Sequence, residues 1–118
     1  MIQYEYDVKS NVIHSFPEGV VKTRDVLVYF SNLAKDDSIL PRSTEKIYFV
    51  KMQDMKLRFS DTLQMRSEYN IVKRRRRISK TIFVVNDDFT YGIARMLQTI
   101  CSEIDHGVEI ERQQLNNS

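Results

Sequence analysis

The chain of 118 residues is poor in the residues that most often announce chemistry: one cysteine, three glycines, two prolines, two histidines and no tryptophan. The single Cys101 excludes an internal disulfide and any CxxC redox or zinc motif, and its place between Ile100 and Ile104 fits a small buried hydrophobe. Three glycines leave no Gly-rich phosphate loop. His14 and His106 fit neither an HExxH zinc pattern nor a triad, since no Ser or Cys nucleophile stands at a recognisable spacing from either. No run of about 18 apolar residues is present, so no membrane span is expected. Met1 leads straight into alternating IQYEYDV rather than into a leader segment, and a cytosolic protein is the expectation.

What is present is a hydrophobic fraction of 42%, enough for one compact domain over 1–118, with 113–118 as a polar tail. The net charge of +2 is local, because without the run Lys73, Arg74, Arg75, Arg76 and Arg77 the balance falls to −3. Proteins that grip a phosphate backbone spread cations over a groove to neutralise several phosphates at once. Five consecutive cations at a helix end instead fan about 100° apart and meet the negative end of the macrodipole. That basic patch is expected to be a solvated helix terminus, and no nucleic-acid partner is expected.

Hydrophobic periodicity gives the elements. Ile2, Tyr4, Tyr6 and Val8 alternate with polar residues as one strand, a turn at Ser10 and Asn11 follows, and Val12 to Phe16 completes an antiparallel hairpin ended by PEG at 17–19. Thr23 is expected to cap a helix over Arg24 to Asp36, with Val26, Phe30, Leu33 and Ala34 on its apolar stripe. KIYFVKM, Lys46 to Met52, reads as an inner strand followed by a loop, QDMKLR. Ser60 or Asp61 caps a second helix carrying Thr62, Met65, Tyr69 and Val72 on one side. TIFVVN, Thr81 to Asn86, is another inner strand. Asp87 or Asp88 then caps a helix with Phe89, Ile93, Met96, Leu97, Ile100 and Ile104 at helical spacing, stopped by Gly107. Val108 to Arg112 alternates as the last strand. The fold class is α/β: a mixed five-stranded sheet in the order β-β-α-β-α-β-α-β, an antiparallel hairpin then parallel strands, with helices mainly on one face.

TIFVVNDDFTYGIARM resembles the last strand-to-helix unit of small bacterial proteins of the STAS superfamily, whose fold is that of the anti-sigma-factor antagonists and is similar to the lipid-binding CRAL-TRIO domains. FPEGVVKTRDVLVYF looks like the second strand and first helix of the same family. The resemblance implies a protein that is not an enzyme, holds no cofactor and works by docking to a partner. It also implies a phosphorylated serine at the start of the helix after the central strand. Here Ser60 is the candidate phospho-switch, but the surrounding Phe59-Ser60-Asp61-Thr62 keeps little of the family's Asp-Ser-Ser-Gly type motif, and Lys51 stands where an Asp is common. A plain helix cap is the simpler role for Ser60.

Ligands of such sheets collect beyond the carboxyl ends of the parallel strands. The candidate partner or ligand contacts there are Glu18, Asp54, Asp87, Tyr91 and Arg95. Acidic groups on that edge could hold a divalent cation, with capping of the following helix as the plainer role for Asp87 or Asp88; no metal is expected. Gly92 is expected to let the last helix approach the sheet closely, or else a ligand approach the backbone, and Arg95 to stack on Tyr91 or pair with Asp88. The inner strands are apolar on both faces, so residues such as Tyr48, Val50, Phe83 and Val85 need a second cover, which a homodimer or another protein would supply. A small apolar or lipid-like ligand held between sheet and helices is the alternative.

Overall fold

A computed structural model describes residues 1–102 and 107–113; His106 and most of the polar tail lie outside the described residues. The N-terminal hairpin forms as the alternation requires: β1 (Ile2–Asp7) pairs antiparallel with β2 (Val12–Pro17), and Asn11 turns the chain with φ 56°. The next element was not legible. Gly19, at φ 67°, redirects the chain into β3 (Gly19–Lys22), which leads directly into α1 (Thr23–Lys35).

The inner strand expected over Lys46 to Met52 is cut in two. β4 spans Thr44–Tyr48, a tight turn closes with Met52 N–H donating to the Phe49 carbonyl, and β5 (Met52–Lys56) takes up most of the expected loop. β3 and β5 pair in parallel as a separate two-stranded sheet. A 3₁₀ turn over Phe59–Asp61 precedes α2 (Thr62–Arg76), followed by β6 (Lys80–Val85), α3 (Asp88–Ser102) and β7 (Val108–Arg112). The main sheet has the order β1-β2-β4-β6-β7, antiparallel at the hairpin and parallel thereafter.

The sheet turns one face to all three helices. Ile13 on β2, Phe83 and Val85 on β6 and Val108 on β7 meet Tyr29 and Leu33 of α1, Val72 of α2 and Ala94 of α3 in two adjoining apolar clusters. Side chains buried as fully as Ile13, Leu33 and Val85 each contribute about 1.5–3 kcal/mol. Phe30 bridges the first two helices, its ring 5.9 Å from that of Tyr69. On α2 only Met65, Tyr69 and Val72 are buried, the narrow stripe that its weak periodicity implied.

The opposite face needs no second cover of the kind expected. Ile82 and Val84 point there but are only 8% and 3% exposed. Lys46 and Glu109 flank Ile82 in the neighbouring strands, and Tyr48 and Glu111 flank Val84, so long side chains lie over both. Phe83 and Val85 face the helices, and Val50 stands half exposed in the turn after β4.

Candidate functional site

The carboxyl ends of β2, β4 and β6 and the first turns of α2 and α3 share one edge of the sheet. Backbone bonds stitch it: Gly19 N–H to the Lys51 carbonyl, Phe49 N–H to Val84 and Gln113 N–H to Val85. The acidic candidates there hold the chain. Asp87 Oδ1 accepts from Thr90 N–H and from Thr90 Oγ1, both at 2.7 Å, which makes Asp87 the cap of α3 and holds its carboxyl below the usual range. Asp54 accepts from the neighbouring Met55 N–H at 2.8 Å. Glu18 is exposed. Among the described residues no three His, Cys, Asp or Glu side chains gather as a metal site requires.

Three expectations at the helix starts are corrected. Thr23 is the first residue of α1 rather than its cap, and its Oγ1 accepts from Arg58 N–H at 3.1 Å, tying the two helix approaches together. Ser60 does not cap α2: it is exposed in the 3₁₀ turn, and Asp61 occupies the cap position without a side-chain bond. Gly92 permits no close approach, since a Cβ built there would meet nothing within 4 Å. Ala94, fully buried two residues on, makes that approach.

Tyr91 remains 40% exposed, but its ring partner is Arg112 of β7, 5.2 Å from its centroid. Arg112 also takes the ion pair with Asp88, at 2.9 Å. Arg95 instead donates to Gln98 Oε1 at 2.8 Å, one turn along its own helix. Around it the edge carries large apolar side chains in water: Phe59 is 94% and Leu63 74% exposed, one helical turn apart on either side of the α2 start, and Phe89 of α3 is half exposed.

The basic run divides. Lys73 turns inward over the Tyr69 ring, 5.6 Å from its centroid, and burial pushes its ammonium pKa down. Arg76 donates to the Asp36 carbonyl at 2.7 Å, capping the end of α1, and reaches Asp37 at 3.3 Å. Arg77, at φ 53°, is the left-handed residue that ends α2. Arg74 and Arg75 are exposed. The run is a helix terminus as expected, with two of its five cations built into the fold.

Beneath the helices lies a polar group that periodicity could have flagged. Glu45 has the inward parity of Ile47 and is 2% exposed, accepting from Tyr29 Oη and, at 2.8 Å, from Thr81 Oγ1, while Ser15 Oγ lies 2.6 Å from Tyr29 Oη. Burial raises its carboxyl pKa against the opposing pull of those bonds and of Lys73. The Tyr29 and Tyr69 hydroxyls are raised in turn, first by burial, and the half-buried Cys101 thiol is pushed up to about 11 by the same cause. Glu45, Tyr29, Tyr69, Thr81 and Cys101 border a cavity of about 80 Å³ between sheet and helices, lined also by Arg66 and by apolar side chains including Phe30, Met65, Phe83 and Leu97. On the far face His14 Nδ1 lies 2.8 Å from Tyr48 Oη, and Tyr48 stacks between His14 and Phe16.

A mixed sheet of this strand order with its helices on one face is the fold of the STAS domains. Among solved structures, the anti-sigma factor antagonist SpoIIAA in its unphosphorylated form superposes on it with a TM-score of 0.53 over 100% of this chain and 90% of that one, at 11% sequence identity. No protein-family model and no curated protein sequence matches the chain. No helix among the described residues is long and apolar enough to cross a membrane.

Proposed function

We propose that the chain, as one cytoplasmic domain, is a non-enzymatic STAS-like regulatory module that docks to a protein partner through the carboxyl-end edge of its sheet. The observation that carries this is the pair Phe59 and Leu63, 94% and 74% exposed on either side of the α2 start. Two large apolar side chains one turn apart in water favour a partner that removes them from it. The fold supports the same reading, being shared with a protein described as an anti-sigma factor antagonist. In this reading Tyr91, Arg95 and Glu18 extend the surface along that edge, and phosphate added to Ser60, which is exposed between the two apolar residues in sequence, would alter docking.

The test uses wild-type protein and a Phe59→Glu, Leu63→Glu variant as baits in quantitative cross-linking from cells that produce the chain. A protein captured by the first and lost with the second, at equal folded content by circular dichroism, supports the proposal. Identical captured sets count against it. Self-association belongs to the same proposal, and light scattering at several concentrations should show a dimer in wild type that the double variant weakens.

The cavity favours a second reading, a small apolar ligand between sheet and helices. Its 80 Å³ is about half the roughly 150 Å³ of an engineered cavity that binds benzene. A ligand of a few heavy atoms fits and an acyl chain does not. Chemical-shift changes at Met65, Phe83 and Leu97 under xenon pressure would support that reading, and their absence would remove it.

A further inference from the structure

The pairing of β3 with β5 brings two like charges side by side. In its parallel register Lys22 stands opposite Lys56, an arrangement that lowers stability when nothing offsets it. Each strand then leaves for a helix, and the bond from Arg58 N–H to Thr23 Oγ1 holds the two departures together. The result is an open groove of about 550 Å³ between the starts of α1 and α2, in the size range of ligand sites.

Four cations line it, Lys22, Arg24, Lys56 and Arg58, against one acid, Asp61. All four are exposed, and among the described residues none forms an ion pair. A further carboxylate beside the groove, Asp25, accepts from Lys22 N–H at 2.9 Å and pairs with the terminal ammonium of Met1. Where cations of the sheet stand beside acids they pair, as Lys80 does with Glu109 and Arg112 with Asp88. Here the two lysines face each other with no ion pair of their own among the described residues, Asp25 being the nearby acid that acts on Lys22.

We propose that this groove binds a phosphate-bearing ligand. A phosphate group carries two negative charges in a compact tetrahedron of acceptors, so it can accept from two lysines and from an arginine fork together. Leu27 and Leu57 give the groove an apolar wall for the remainder of such a ligand. The site stands apart from the docking proposal, because Phe59 and Leu63 do not line it.

The test is a titration of the ¹⁵N-labelled full chain with pyrophosphate, sodium chloride holding ionic strength constant. A parallel arm measures co-sedimentation with phosphatidylcholine vesicles with and without phosphatidic acid. Saturable shifts confined to 22–24, 56–58, 61 and 64 are expected, and a Lys22→Gln, Lys56→Gln variant should bind about tenfold more weakly. Without ligand that variant should melt at or above the wild-type temperature, since a repulsion has been removed. Pyrophosphate binding alone assigns the site to a soluble phosphate compound, and recruitment by phosphatidic acid alone assigns it to a lipid headgroup. Binding to neither probe overturns the proposal. So does undiminished binding by the double variant, or a variant that melts lower because the lysines served the fold.

Discussion

Replacing Glu45 by Gln should change how stability depends on pH. The carboxyl is closed in the core with Tyr29 Oη and Thr81 Oγ1 as its donors, and burial raises its pKa in the folded chain above the unfolded value of 4.5. Below pH 4.5 both states hold the proton and stability is complete. As pH rises past that point the unfolded chain ionises first, so stability falls by about 1.4 kcal/mol per pH unit until the folded carboxyl titrates. For a domain of this length that is a loss of roughly 5 °C in Tm per unit. Asp25, Asp36 and Asp87 act on the other side. Their pKa values are lowered from 3.8, mainly by the bonds they accept, so the stability they contribute is present above that value and lost as pH falls through the folded one. The two windows therefore separate near pH 4. Gln at position 45 keeps the size and an acceptor for Thr81, and the Ser15–Tyr29 pair can reorient to receive its amide. Thermal unfolding followed by circular dichroism from pH 3 to pH 8 should show the decline above about pH 4.5 in wild type and not in Glu45→Gln. Parallel profiles for the two proteins would show that Glu45 does not carry the decline.

Gly92→Ala should stabilise the protein by about 0.4–1 kcal/mol, because the position is helical, exposed and has open space for a Cβ; chemical denaturation checks it, and a loss would mean an unseen contact. Arg76→Ala should cost about 1–3 kcal/mol by leaving the part-buried Asp36 carbonyl without its donor, whereas Arg74→Ala should lie within about 0.5 kcal/mol of wild type. The difference between two arginines of the same run is the measurement, read from urea midpoints. Asp87→Ala should cost about 1 kcal/mol as a lost helix cap, with fraying of the first turn of α3 in amide exchange, and Asp87→Asn should recover most of it.

What could be read from the sequence follows from which interactions are local. The five strands of the main sheet were legible because each carries its own period: alternation in Ile2–Asp7, and a continuous apolar run in Lys80–Val85, whose two faces are both buried. β3 and β5 carry no such pattern. GVVK and MQDMK are short and partly polar, and they become strands only because each supplies the other's ladder across some 30 residues of intervening chain. The Gly92 and Thr23 assignments failed for a related reason: each residue type suited a local role, but whether a Cβ has room or a hydroxyl faces Arg58 is decided by the partner element.

The candidate sites sort by the same criterion. Capping by Asp87 was legible because the accepting cap and its donor, Thr90 N–H, lie three residues apart, and the scatter of the basic run was legible because it follows from 100° per residue. The groove between α1 and α2 was not, since Lys22, Arg24, Lys56 and Arg58 are ordinary surface residues until the pairing of β3 with β5 sets them together. Of the charge carried in one conspicuous run, two of five members are used by the helix end that bears it, reaching inward to Glu45 and to the end of α1. Charge gathered from two distant segments has no such local use. In this fold, then, the proposed anion site is assembled by tertiary pairing rather than carried by the loudest stretch of the sequence.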